Sequence, residues 1–177
     1  MRIIGGKHRG LRLNPPNDLP VRPTTDMAKE ALFNILPNKI TIENSIVLDL
    51  FTGTGGIAIE LASRGASHVD AVDISNKCVR YLQEIKKKLE LNALNVKKAN
   101  VFQYIEQCDQ TYDLIFADPP YDLDKLIQLP SLIKEKKLLN ENGLFVLEFP
   151  SQRHLLEDPK PVEVRKYGNS SFAFYEF

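Results

Sequence analysis

Residues 116–122 read FADPPYD, an apolar run that passes directly into an acid, two prolines and a tyrosine. The carboxylate of Asp118 can accept a hydrogen bond from an amino group, the Pro119 carbonyl can accept a second, and the prolines hold the segment in one extended shape. Tyr121 adds a flat face on which a base can stack, worth about 1–3 kcal/mol. An exocyclic amine is a poor nucleophile because its lone pair is delocalised into the ring. Two acceptors gripping its hydrogens turn that lone pair toward an electrophile, by orientation and electrostatics and without a metal. In isolation the same residues read more simply as a proline turn that ends a strand.

A second cluster, VLDLFTGTGGIAIE at 47–60, changes that balance. Asp49 lies inside an apolar run, and Gly53, Gly55 and Gly56 follow it into a helical pattern, so the backbone can turn sharply and approach a ligand at the C-terminal edge of a strand. Asp73 ends the next apolar run, where a carboxylate can accept both hydroxyls of a ribose. The glycines also satisfy the loose GxGxxA pattern of dinucleotide sites. A carboxylate at Asp49 would repel a pyrophosphate but favour a cationic amino-acid group, and S-adenosylmethionine (SAM) carries such a group, a sulfonium and an adenosine without phosphate. SAM is therefore the expected cofactor. Asn100, in KKANV, offers a side-chain amide to an adenine edge, with an ordinary strand-end turn as the alternative.

The elements that must position these residues alternate in the manner of an α/β domain with a mostly parallel sheet. Strands are expected at 45–51, 68–74, 96–100, 112–117 and 143–149, with helices at 55–64, 75–91, 102–108 and 122–136. Val79, Leu82, Ile85 and Leu89 recur at helical spacing behind an N-cap at Ser75, and Lys86, Lys87 and Lys88 read as a solvated face. The segment PVEVRKYGNSSFAFYEF predicts two strands joined at Gly168–Asn169. Ahead of this core, RIIGGKHRGLRL (2–13) predicts a small hairpin, and TTDMAKEALFNIL (24–36) a helix starting at Thr25 or Asp26 and stopping at Pro37.

The 177 residues suffice for one domain with a full core but leave no room for a separate recognition domain. The 23 basic residues match the 23 acidic ones, so global charge predicts no partner. The charge is uneven, however: Arg2, Lys7, Arg9, Arg12 and Arg22 stand before position 23 against the single acid Asp18. Neither a membrane span nor a signal peptide is indicated, which makes the cytoplasm the expected compartment. Cys78 and Cys108 fit no zinc or redox spacing and read as small buried residues.

With LDLFTGTGGIAIE, AVDIS and DPPY in this order, the chain resembles the class I SAM-dependent methyltransferases acting on exocyclic or amide nitrogens. RIIGGKHRGLRL followed by RPTTDMAKEALFNIL narrows the resemblance to bacterial 16S ribosomal RNA guanine-N2 methyltransferases of the RsmD type. That resemblance implies a Rossmann-like, seven-stranded, mostly parallel sheet with an antiparallel last strand, preceded by a short hairpin and helix. It divides the chain into an RNA-binding extension, 1–23, and a methyltransferase domain, 24–177. It implies that Asp49, Phe51, Gly53 and Gly55 line the cofactor, Asp73 holds its ribose and Asn100 lies near its adenine. Asp118, Pro119 and Tyr121 would hold the target guanine, Lys7, Arg9 and Arg12 would meet phosphates, and the leading helix, with Arg22 and Thr25 near its start, would cover the cofactor pocket. The expected partner is 16S rRNA within or on the way to the small subunit, met by a monomer without metal. An adenine-N6 DNA methyltransferase, a glutamine-amide methyltransferase and a noncatalytic RNA-binding assembly factor are the alternatives, the second disfavoured because its motif begins with asparagine.

Overall fold

In the computed structural model, which describes residues 1–20 and 26–177, helices and strands alternate along most of the chain. Helix α1 (Asp26–Ile35) precedes β1 (Ile46–Leu50), α2 (Gly56–Ser63), β2 (His68–Asp73), α3 (Asn76–Lys88), β3 (Leu94–Lys98), α4 (Val101–Gln107), β4 (Tyr112–Ala117), α5 (Leu129–Glu135), β5 (Leu139–Pro150), β6 (Glu163–Tyr167) and β7 (Ser170–Tyr175). Seven strands form one sheet in the order β3-β2-β1-β4-β5-β7-β6. The first five pair in parallel, and β7 runs antiparallel between β5 and β6, as expected. Strand order reverses between β1 and β4, and in open α/β sheets the crevice at the carboxyl ends beside such a switch is where ligands bind.

Alternation along each strand divides the core into two layers. Val47, Ala71, Phe116 and Val146 pack with Leu32 and Phe33 of α1, Ile57 and Leu61 of α2 and Leu82 of α3. Leu48, Leu50, Val72, Ile115, Ala117 and Leu147 face the other way, against Val101 and Ile105 of α4 and Leu129 and Ile133 of α5. Asp49 in β1 and Glu148 in β5 therefore share the first face with α1, α2 and α3.

Two expectations need correcting, and a third is met in reduced form. The segment 122–136 is not one helix: a 3-10 turn covers Asp124–Gln128, and α5 begins beside Pro130, which has no N–H to continue an α-helix from the preceding turn. The third strand is 94–98 instead of 96–100, so Asn100 stands outside it, at the N-cap of α4. Residues 2–13 form the expected hairpin only in short form: Arg2 bridges Arg12 in antiparallel fashion, Ile3 N donates to Leu11 O at 3.0 Å and Leu13 N to Met1 O at 2.9 Å, and no longer strand follows on either side.

The last difference has a physical cause. Beyond the bonds that join its two ends, the backbone groups of this arm bind the body: Ile4 and Gly5 donate to the Glu60 carboxylate at 2.8 and 2.7 Å, and Lys7 N donates to Ser63 O at 2.8 Å. Gly6 has φ +74°, and a Cβ there would lie 1.8 Å from Ser63 O, so only glycine permits the approach. Ile3 and Leu13 are buried in the first core layer.

Candidate active site

The turn between β1 and α2 is held from below by Asp49, which is 2% exposed. Its Oδ2 accepts from Thr52 Oγ1 at 2.6 Å and from Ala58 N at 3.1 Å, leaving Oδ1 to other partners. Burial, only partly offset by those two hydrogen bonds and reinforced by the charge of Asp73, pushes its pKa up to about 7. Phe51 has φ +59°, a left-handed conformation uncommon outside glycine, and is followed by Thr52, whose N–H donates to Val72 O at 3.1 Å. Gly55 has φ +76°, and a Cβ there would fall 2.0 Å from Leu82 Cδ2 of α3. Its lack of a side chain thus seats the loop on α3.

Asp73, at the end of β2, accepts from Gly53 N through Oδ2 and from Ser75 N through Oδ1, both at 2.8 Å. Each carboxylate oxygen has two lone pairs, so one on each remains for a diol. Across the sheet, Asp118 N donates to Leu50 O at 3.4 Å, and Leu123 N donates to Pro120 O at 3.0 Å, closing the DPPY segment into a turn.

All of these elements border one cavity of about 1390 Å³ at the carboxyl ends of the central strands. Asp49, Phe51, Gly53, Asp73, Asn100, Asp118, Pro119 and Tyr121 line it; Gly55 does not. The volume exceeds the roughly 300–1,000 Å³ of ordinary small-ligand sites, enough for two ligands side by side. Asn100 uses its side-chain carbonyl to cap α4, accepting from Phe102 N at 3.0 Å and Gln103 N at 3.3 Å, so its amide nitrogen is the atom left for a ligand. Arg22 and Thr25 lie outside the described residues.

Several lining residues escaped the sequence reading. Ile74 is 64% exposed and Met27 69% exposed, an unusual state for apolar residues, and both border the cavity. Phe102 meets Phe51 edge to face with ring centres 6.4 Å apart. The turn between β6 and β7, residues 167–170, forms a further wall. Most telling is Glu148, 4% exposed, whose Oε1 accepts from Ser170 Oγ at 2.6 Å and from Tyr121 OH at 3.5 Å. An acid inside the apolar GLFVLEF run was its signal, the same kind that singled out Asp49.

Residues 2–13 of the arm stand apart from the cavity, although Met1, Pro15 and Pro20 on either side of them line it. Lys7, Arg9 and Arg12 are exposed, and none of them forms an ion pair among the described residues, whereas Arg2 pairs with Glu30 at 2.6 Å. Glu60, fully buried, anchors the arm and also accepts from Arg64 Nε at 2.8 Å, with Lys29 Nζ 3.5 Å away.

The family described as Conserved hypothetical protein 95 matches residues 1–176. Ribosomal RNA small subunit methyltransferase D of Haemophilus influenzae is 32% identical over 183 residues, covering 99% of this chain and 93% of that protein. The protein of the same name from Buchnera aphidicola subsp. Baizongia pistaciae is 34% identical over 148 residues, covering 84% of this chain and 75% of its own. Among solved structures, a hypothetical protein of Thermus thermophilus superposes with a TM-score of 0.87 at 29% identity, covering 100% of this chain and 99% of the other.

Proposed function

The chain belongs to this family, and from that membership and the acids gathered in the cavity we propose that it transfers a methyl group from SAM to the exocyclic N2 amine of a guanine in 16S rRNA. The observation that carries the reading is the meeting of Asp49, Asp73 and Asp118 in one cavity. The first two suit a ligand with an ammonium group and a ribose, and they oppose one with a pyrophosphate. When bound, SAM supplies an electrophilic methyl group on its sulfonium. Asp49 holds the amino-acid end, Asp73 the ribose hydroxyls, and the Asn100 amide with Phe102 the adenine. Gly55 contributes by shaping the loop.

Asp118 and the Pro119 carbonyl accept the two hydrogens of the guanine amine, and Tyr121 stacks on the ring. The amine's lone pair is thereby aimed out of the base plane. Asp118 then takes the proton that the nitrogen loses on methylation and passes it to water. Replacing Asp118 with alanine should lower turnover by about 10²–10⁴-fold and leave SAM affinity unchanged in calorimetry; wild-type turnover would remove Asp118 from the reaction.

Residues 1–23 serve as an RNA-binding extension of the methyltransferase domain, 24–177. Lys7, Arg9 and Arg12 neutralise phosphates and position the RNA without reading its sequence. The target base must leave its stack to enter the cavity, at a cost of a few kcal/mol in a duplex and less in a loop. Among the described residues no helix is long and apolar enough to cross a membrane, and the small subunit as substrate puts the enzyme in the cytoplasm.

The test is transfer of labelled methyl from SAM to unmodified small subunits, deproteinised 16S rRNA and duplex DNA, followed by nucleoside analysis. Labelled N2-methylguanosine from rRNA or subunits is expected. Label in N6-methyladenine of DNA, or in no nucleoside, would overturn the proposal.

A further inference from the structure

We infer that Glu148 is the residue that selects guanine, its carboxylate accepting the N1–H beside the amine that Asp118 and Pro119 grip. The inference rests on the guanine-N2 reading above and adds to it the group that distinguishes guanine from other bases. The Asp-Pro pair cannot do so alone, because its two acceptors fit any exocyclic amine.

The placement follows from register. Strands β4 and β5 run parallel with Ala117 opposite Leu147, so the next residues stand side by side at the carboxyl edge, Asp118 just past the end of β4 and Glu148 still within β5, opposite Phe172 of β7. Both border the cavity. Glu148 is buried, flanked in sequence by Leu147 and Phe149, at a position where an apolar side chain would avoid the cost of desolvating a carboxylate. Ser170 Oγ fixes Oε1 at 2.6 Å, and the Tyr121 hydroxyl lies 3.5 Å from the same oxygen, coupling the acid to the ring proposed to stack on the base.

The chemistry of the bases supplies the selectivity. Adenine carries its amine beside N1 and cytosine beside N3, both acceptors, so a carboxylate at that point meets a lone pair. Guanine alone among the amine-bearing bases presents a donor, N1–H, next to its amine. Acids accept from donors and reject acceptors, which makes a carboxylate one strand away from Asp118 a reader of guanine.

The assay uses small subunits reconstituted with 16S rRNA that carries, at the position mapped by nucleoside analysis, either guanosine or 2-aminopurine riboside. The analogue keeps the 2-amine but has an acceptor at N1. Wild-type enzyme should prefer guanosine in kcat/KM by roughly ten- to a hundred-fold. Glu148→Gln should lose about as much on guanosine, gain on 2-aminopurine because its amide can donate to N1, and keep its SAM affinity. An unchanged guanosine to 2-aminopurine ratio in E148Q would overturn the assignment. Should E148Q fail to bind SAM, the wild-type ratio and E148D decide: equal wild-type rates on the two substrates, or loss of the preference in E148D, which retains the charge, would also overturn it. Failure of wild-type enzyme to form N2-methylguanosine in any RNA would instead sink the underlying reading.

Discussion

Glu60 and Asp49 are buried acids of the same β1–α2 unit, yet their surroundings differ in kind. Glu60 accepts from two backbone N–H groups of the arm and from Arg64, and Lys29 lies 3.5 Å away, so its charge is matched by cations and donors within the protein. Asp49 receives two neutral donors, both on one oxygen, and opens onto the cavity. The first acid holds pieces of the chain together. The second is left incomplete in a way that a cationic ligand would finish, and its raised pKa expresses the same deficit.

Removing the saturated acid should produce the larger stability effect. Glu60→Ala removes the counter-charge of the buried Lys29, which keeps only the Arg2 carbonyl as a hydrogen-bond partner, and strands two arm N–H groups, and should cost about 3–5 kcal/mol in denaturant unfolding. A loss below about 1 kcal/mol would erase the contrast.

Asp49→Asn should do the reverse, lowering SAM affinity by roughly ten- to a hundred-fold while leaving the unliganded fold as stable or more so above neutral pH. Because the folded-state pKa of Asp49 is raised, its contribution to unliganded stability is full below the ordinary carboxylate range and is lost as pH rises through about 7. Affinity for a ligand with an ammonium group should run oppositely, strengthening as pH rises through the same range. Titration calorimetry of the wild type and D49N across pH 5.5–8.5 checks both signs, and a wild-type affinity flat with pH would detach Asp49 from the ligand's charge.

The arm gives the smallest effect. Lys7→Ala with Arg9→Ala should raise KM for RNA and reduce the slope of log affinity against log salt by about 1–2, with melting unchanged. An unaltered slope would show that Glu60 anchors an arm that touches no phosphate.

Much of this was legible in the sequence because an acid inside an apolar run is costly and therefore conspicuous. Asp49, Asp73 and Asp118 each stood beside glycines, a strand end or prolines, which gave the acid a structural address. Glu148 carried the same signal in GLFVLEF, but the EFPSQRHL that follows holds no glycine turn to mark a site, and its partner Ser170 lies 22 residues on. The docking of the arm was illegible for a similar reason: its bonds to Glu60 span 55 and 56 residues, beyond any local pattern. Asn100 looked like the end of a strand because a cap and a strand end use the same residue types.

The place of β7 bears on the order in which the enzyme comes into being. This strand is later in the chain than every other strand of the sheet, yet it lies inside, between β5 and β6. While the polypeptide is being made, β5 must wait with an open edge until Ser170–Tyr175 emerges, and Glu148 waits with it for the Ser170 hydroxyl. A nascent chain can assemble its glycine loop early but cannot close the wall proposed to read the base. The protein should thus gain a grip on its cofactor before it gains a choice of target.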